Sequence, residues 1–223
     1  SKNRIDLFFN QVAGILFHPL SDKIIAGEAF TIEAQLFDYL GDPLIGKLKH
    51  RPVLKITSQY PLEINQQKVS KWYKIDTPDD DRPINLTIIC KKAGSYTIHF
   101  ENTYYYGIKQ IGHFWNTFTF KVGPNQPIKS IFEVSEKVVA NQTFAVHRFD
   151  LDQYNNRVIS QLQTELVFTE ATNTNILING KPLKSKSTFI NTSTDLIAFQ
   201  HPGLYELKLK GLARINTKKI VVQ

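Results

Sequence analysis

Ser21 to Leu44 reads SDKIIAGEAFTIEAQLFDYLGDPL, and Ser135 to Val158 reads SEKVVANQTFAVHRFDLDQYNNRV. The two stretches lie on one another without a gap at one offset of 114 residues. Ser21 meets Ser135, Lys23 meets Lys137, Ala26 meets Ala140, Phe30 meets Phe144 and Asp38 meets Asp152, while Ile24, Ile25 and Ile32 each face a Val. A second pair of segments follows in the same order: AGSYTIHF from Ala93 and PGLYELKL from Pro202, matching Gly94 to Gly203 and Tyr96 to Tyr205. Two matched anchors in one order describe a tandem repeat of about 100 residues, the size of a whole domain and not of a solenoid element. The predicted boundary falls at the Gly123-Pro124-Asn125-Gln126-Pro127 joint, giving domains 1–123 and 124–223.

Working outward, short apolar or alternating runs recur about every ten residues between Gly, Pro, Asn and Asp, and helical periodicity is missing. Phe30, Ile32, Ala34 and Leu36 alternate with Thr31, Glu33 and Gln35, the pattern of a strand with one buried face. Asp38 to Pro43 then reads as a turn. Further strands are expected at 12–17, 52–57, 62–69, 86–90, 96–101 and 117–122, and in the second copy at 131–134, 143–151, 164–169, 195–199, 205–209 and 217–222. Asn179-Gly180 is a hairpin signal, since both residues tolerate positive φ. In the second copy Arg148 and Asp150 stand where Ala34 and Leu36 stand in the first, while Phe149 and Leu151 are apolar. A β-bulge that switches the inward parity after Val146 is therefore expected. The fold class is all-β: two tandem immunoglobulin-like antiparallel β-sandwiches of about seven strands each.

Composition sets the outer bounds. The chain has 223 residues, 42% hydrophobic and 21% charged, enough for two ordinary cores. No run of 18 apolar residues exists, so no membrane insertion is expected in this segment. The opening SKNRIDLFFN is too polar for a signal peptide, and with no methionine anywhere the chain reads as a piece of a longer protein. Its net charge of +7 splits as +3 over residues 1–124 and +4 over 125–223, with Lys and Arg scattered among acids. That is a solubility pattern, and no nucleic-acid partner is expected. Cys90 is the single cysteine, so each sandwich must hold by packing, which leans toward a cytoplasmic or cytoskeletal setting with a cell-surface one as alternative. The triplets beginning at Asn85, Asn141 and Asn191 fit the glycosylation pattern.

Catalysis finds no support. His18, His50, His99, His113, His147 and His201 are dispersed, with no H-x-x-x-H, C-x-x-C, G-x-S-x-G or phosphate-cradling loop. Cys90 on an apolar strand reads as an inert small hydrophobe. No cofactor is expected. Asp150, Asp152 and Asn155, with Asn156, put hard oxygens on one loop and Asp79 to Asp81 do so on another, so calcium is one reading of these loops and turn chemistry the other. The stretch YYYGIKQIGHFW places Tyr104, Tyr105, Tyr106, Phe114 and Trp115 together, either covering a domain end or forming a protein-binding surface. The basic residues Lys47, Lys49, His50, Arg51 and Lys55 read as an edge guarded by charge or as a contact for an acidic partner.

The order Ala26-Gly27-Glu28-x-Phe30-x-Ile32, Asp38-x-x-Gly41-x-Pro43-Leu44, Ala93-Gly94-x-Tyr96-x-Ile98-x-Phe100 and Phe118-x-Phe120-x-Val122 resembles filamin-type immunoglobulin-like repeats, nearly end to end in both copies. Departures are the missing G-S-P-F-like segment, replaced by Gly112-His113-Phe114-Trp115 and Ala213 to Asn216, and Asn141 and Asn155 where the family has Gly. Asn tolerates the left-handed region, so the backbone can persist. The resemblance implies scaffolding without catalysis, and a partner segment added as a strand beside Pro52, Leu54, Ile56, Leu62 and Ile64. An open sheet edge offers unpaired N–H and C=O groups to any extended chain, which is the physical ground for that site. The expected function is therefore a non-enzymatic, protein-binding structural segment. The alternatives are an extracellular adhesion module and, after it, a carbohydrate-binding module.

Overall fold

The computed structural model describes residues 12–38, 40–44, 52–76, 82–106, 109–159, 164–168, 176–183, 187–190, 194–212 and 215–223, with backbone alone for 102–106, 109–114 and 187–190. The chain separates into two compact units, Ser1–Gly123 and Pro124–Gln223. Unit 1 holds β1 (Gly14–Pro19), β2 (Ile24–Ile25), β3 (Ala29–Phe37), β4 (Val53–Ser58), β5 (Leu62–Ile64), β6 (Gln67–Val69), β7 (Trp72–Lys74), β8 (Ile84–Cys90), β9 (Gly94–Tyr106) and β10 (Lys109–Gly123). They form two sheets, β1-β3-β8-β5-β6 and β2-β10-β9-β4-β7. Unit 2 holds β11 (Lys129–Glu133), β12 (Lys137–Val138), β13 (Thr143–Leu151), β14 (Arg157–Val158), β15 (Thr164–Phe168), β16 (Ile176–Ile178), β17 (Lys181–Pro182), β18 (Ser187–Ile190), β19 (Thr194–Phe199), β20 (Gly203–Lys210) and β21 (Ile215–Val222). Its sheets run β11-β13-β19-β16-β17, with β14 beside β13, and β12-β21-β20-β15-β18. Seven strands of each unit frame an immunoglobulin-like sandwich. The count passes seven because β2, β6, β7, β12, β14, β17 and β18 are short additions.

Alternation decides which side chains meet between the sheets. Ile32, Ala34, Leu86 and Ile88 of one sheet face Leu54, Tyr96, Ile98 and Phe100 of the other, all buried. In unit 2 Val146, Ile197 and Phe199 face Leu166, Phe168, Leu207 and Leu209 in the same way. Each such aliphatic or aromatic side chain contributes roughly 1.5–3 kcal/mol on burial. The sum outweighs any single turn, so the period-2 pattern and not the loops determines the class of fold.

Four local devices recur at matching positions. In the first, Asp38 Oδ1 accepts from the N–H groups of Leu40 and Asp42 at 2.8 and 3.0 Å, and Asp152 Oδ1 accepts from those of Tyr154 and Asn156 at 2.8 and 2.9 Å. The left-handed residue in these turns is Gly41 in one copy and Asn155 in the other. Second, the Tyr96 hydroxyl donates to the Lys92 carbonyl at 2.8 Å and the Tyr205 hydroxyl to the His201 carbonyl at 3.0 Å, the tyrosine corner of immunoglobulin-like sandwiches. Third, Asn65 and Asn179, both at positive φ, each clamp the adjoining strand through a backbone donor and a side-chain acceptor, on Thr87 and Leu196. Fourth, Asn116 Nδ2 donates to the Ile15 carbonyl and Asn216 Nδ2 to the Ser130 carbonyl, tying the last long strand to the first.

Two expectations need correction. The strand expected over 62–69 is a hairpin, β5 and β6, turning at Asn65-Gln66, both with positive φ. The bulge expected after Val146 is absent: β13 keeps an unbroken register with β11 and with β19, and its inward parity continues through Val146, Arg148 and Asp150. The backbone stays regular because the two inward charges neutralise each other. Arg148 Nη2 donates to Asp150 Oδ2 at 2.9 Å, and Ser130 Oγ donates to Asp150 Oδ1 at 2.5 Å.

Candidate functional site

The strand-edge residues sit on two different sheets. Pro52, Leu54, Ile56, Leu62 and Ile64 are all buried, because β4 and β5 point these positions into the core. Any contact with a partner at β4 must therefore come from its backbone and its outward residues. Over Val53 to Lys55 that backbone edge is occupied by β7, in the register Val53 to Lys74, Leu54 to Tyr73 and Lys55 to Trp72. The pairing ends where the Ile56 N–H donates to the Lys71 carbonyl at 2.7 Å. Beyond that bond the two segments part around a cleft of about 690 Å³, lined by Lys55 to Gln59 on one wall and Ser70 to Trp72 on the other. Lys55 Nζ lies 5.2 Å above the Trp72 ring and 3.6 Å from Glu101 Oε2, fixing the rim of this opening.

Sequence reasoning missed the Ser70 to Trp72 wall. The signal was present in Trp72-Tyr73-Lys74, where a half-buried Tyr73 lies between two exposed residues, the alternation of a short strand. It went unread because three residues are too few to show a period.

The aromatic stretch is an antiparallel ribbon. β9 and β10 pair from Gly94 with Val122 out to Tyr106 with Lys109, and the register slips once between Gln110 and Gly112. β4 accompanies β9 only as far as Glu101, so Tyr104, Tyr105 and Tyr106 pair, among the described residues, with β10 alone. Phe114 stands opposite Asn102, and Trp115 opposite Glu101 with its indole exposed. In unit 2 the corresponding hairpin stops at Lys210 and Ile215.

The candidate calcium ligands are not brought together. Asp150 is engaged with Arg148 and Ser130 inside the sandwich. Asp152 Oδ2 accepts from the Asn125 N–H at 2.9 Å and from Asn156 Nδ2 at 2.8 Å, in addition to the two donors on Oδ1. Burial pushes its carboxyl up, but these hydrogen bonds outweigh it and hold Asp152 below the ordinary carboxylate value. Asn155 Oδ1 accepts from Lys129 Nζ at 2.6 Å. Among the described residues no three His, Cys, Asp or Glu side chains gather into a group that could hold a metal. The acids at 79–81, the basic residues at 47–51 and Asn191 lie outside the described residues.

Cys90 is buried, and desolvation pushes its thiol up to about 12 against the opposing effect of a hydrogen bond with Tyr96. A thiol held protonated at neutral pH is a poor nucleophile and a poor metal ligand. His99 and His147 face outward on β9 and β13, each sharing a 3.0 Å hydrogen bond with a threonine, Thr117 and Thr194.

No family model and no curated protein matches the chain. Solved structures do. The Yersinia pseudotuberculosis adhesin InvE is 8% identical over 94% of this chain and 58% of its own, with a TM-score of 0.36. Invasin, a bacterial integrin-binding protein, is 16% identical over 94% of this chain and 40% of its own, TM-score 0.45. The Escherichia coli adhesin FdeC is 13% identical over 96% of this chain and 65% of its own, TM-score 0.40. The chain thus spans no more than about two thirds of any of these three proteins.

Proposed function

We propose that this chain is a non-catalytic adhesion segment of a larger cell-surface protein, in which two immunoglobulin-like sandwiches in series space and present surfaces that bind other proteins. The observation that carries the proposal is the cleft at the end of β4, where the strand leaves β7 and its Ile56 to Ser58 backbone borders open space. An extended peptide laid there would continue the sheet beyond β7 and gain main-chain hydrogen bonds, with Trp72 as an aromatic anchor at the rim. This is the form that the filamin-type resemblance takes in the proposal. The β9–β10 ribbon, with Tyr104, Tyr105, Tyr106, Phe114 and Trp115, is the second protein-binding surface proposed. Self-satisfied loops agree with a spacer: Asp38, Asp152, Asn65 and Asn179 spend their hydrogen bonds inside their own unit. The exposed Asn85 and Asn141 of two glycosylation triplets suit a surface location better than the cytoplasmic one the lone cysteine suggests. InvE and FdeC are adhesins by name and invasin binds integrins. The same kind of work is proposed here on this chain's own surfaces.

A peptide-display selection on the full chain tests the β4 site. Selected peptides are expected to lose about tenfold or more in affinity to Ser58→Pro, which removes a backbone donor at the open edge, while the lost Tyr60 N–H to Ser58 Oγ bond lowers stability by only about 1 kcal/mol and leaves the unit folded. Peptides that bind Ser58→Pro as tightly as the parent would contradict the proposal.

A further inference from the structure

The chain has two tryptophans, and unit 1 places both on the outer face of one sheet. Trp115 on β10 is 67% exposed and Trp72 on β7 is 54% exposed, although indole is among the side chains that gain most from burial. The register fixes what lies between them. Trp115 stands beside Glu101 and Val53, and in the adjoining row Thr117, His99, Lys55 and Trp72 run across β10, β9, β4 and β7. Their neighbours of opposite parity, among them Ile98, Phe100 and Leu54, are in the core. Three strand spacings of about 4.8 Å separate the two indoles by roughly 15 Å across the sheet.

The polar groups between them are already ordered. Thr117 Oγ1 and His99 Nδ1 are 3.0 Å apart, and Lys55 is held by Glu101 at 3.6 Å and by one side of the Trp72 ring. Two flat apolar rings thus bracket a strip of hydroxyl, imidazole, carboxylate and ammonium. Unit 2 has the same strands without this chemistry: Ile215 occupies the place of Trp115 and Ser187 that of Trp72. The fold therefore does not require the tryptophans.

We infer that this face is a binding platform for an uncharged oligosaccharide. A pyranose presents a face of weakly positive C–H groups, which suits the negative face of an indole, and a rim of hydroxyls, which suits Thr117, His99, Glu101 and Lys55. Two rings this far apart call for a chain of several sugars and not for one. A polyanion such as single-stranded nucleic acid, which also stacks on aromatic rings, would find in the strip an ammonium, Lys55, that is already paired with the Glu101 carboxylate, so the strip offers it no uncompensated positive charge.

Because Trp72 and Trp115 are the only tryptophans, the intrinsic indole fluorescence of the full chain reports this face alone. The test titrates the chain with neutral hexasaccharides of glucose, N-acetylglucosamine, mannose and galactose, and with the matching disaccharides. At least one hexasaccharide is expected to give a saturable blue shift, and to bind more tightly than its disaccharide. Trp115→Ala and Trp72→Ala should each weaken it about tenfold or more. Trp115→Phe, which keeps an aromatic face, should retain binding, and Ser58→Pro, which acts on the proposed peptide cleft, should leave it unchanged. The tryptophan variants should melt with the parent, since both indoles are exposed, and Ser58→Pro slightly below it, since Ser58 is half-buried and its Oγ accepts from the Tyr60 N–H at 3.1 Å. The inference is overturned if no hexasaccharide gives a saturable shift, if Trp115→Ala binds with the parent's affinity, if Trp115→Phe melts normally but does not bind, or if only an oligothymidine or a peptide produces the response.

Discussion

At three matching inward positions the two units make opposite choices. Unit 1 has Ile15, Ala34 and Leu36, and unit 2 has Ser130, Arg148 and Asp150, with all six buried. The backbone does not register the change: Ile15 pairs with Leu36 as Ser130 pairs with Asp150, and an asparagine from the last long strand caps the Ile15 or Ser130 carbonyl in either case. What differs is where the free energy resides. Apolar burial is favourable residue by residue, whereas a buried ion pair gains little over an apolar core of similar volume and is costly when only half of it is removed. One architecture thus accepts either chemistry, provided that every charge it encloses is answered.

Removing one partner should break the symmetry most. Asp150→Ala removes the carboxylate 2.9 Å from Arg148 Nη2 and is expected to cost unit 2 about 3–5 kcal/mol, which for a domain near 100 residues is a fall in melting temperature of tens of degrees. Calorimetry of the full chain should show that loss in unit 2 only. A smaller loss is expected from crowding. A Cβ added at Gly211 would come 2.5 Å from Ser130 Oγ and 2.6 Å from its Cβ, so Gly211→Ala should cost about 1–3 kcal/mol by pushing Ser130 off Asp150. Urea unfolding measures it, and a neutral result would mean that the turn yields freely. The smallest effect is one the units share. Tyr205→Phe loses the hydroxyl bond to His201, and Tyr96→Phe loses the bond to Lys92 together with the one shared with Cys90; each should cost roughly 0.5–1.5 kcal/mol in its own unit, Tyr96→Phe at the upper end. A large difference between the two would show that one corner carries more than its bond.

Those same positions show how far the amino-acid order could be read. The repeat, the strands and the all-β class were visible because alternation acts locally and Phe30, Ile32, Tyr96 and Ile98 declare it directly. Left-handed turns at Gly41 and Asn155 were legible for the same reason, since few residues tolerate that backbone. The parity of β13 was not. An inward Arg148 looks like a slip of register until its partner Asp150 and the supporting Ser130 are known, and Ser130 arrives from a strand eighteen residues earlier. The tyrosine bonds and the asparagine clamps also depend on contacts remote in sequence or on side chains that could have pointed elsewhere. Of the candidate site, the strand edge and the aromatic stretch were legible as composition, but the face that collects Trp72 and Trp115 exists only through the pairing of four strands.

The most direct test exchanges the chemistry while keeping the frame. Ser130→Ile, Arg148→Ala and Asp150→Leu together install the unit 1 triad in unit 2, and the melting of unit 2 is then compared with the parent by calorimetry. If the two units are one structure carrying different side chains, unit 2 folds with its stability unchanged or raised by about 1–4 kcal/mol. A second unit that fails to fold, or that loses several kcal/mol, would contradict the equivalence of these positions.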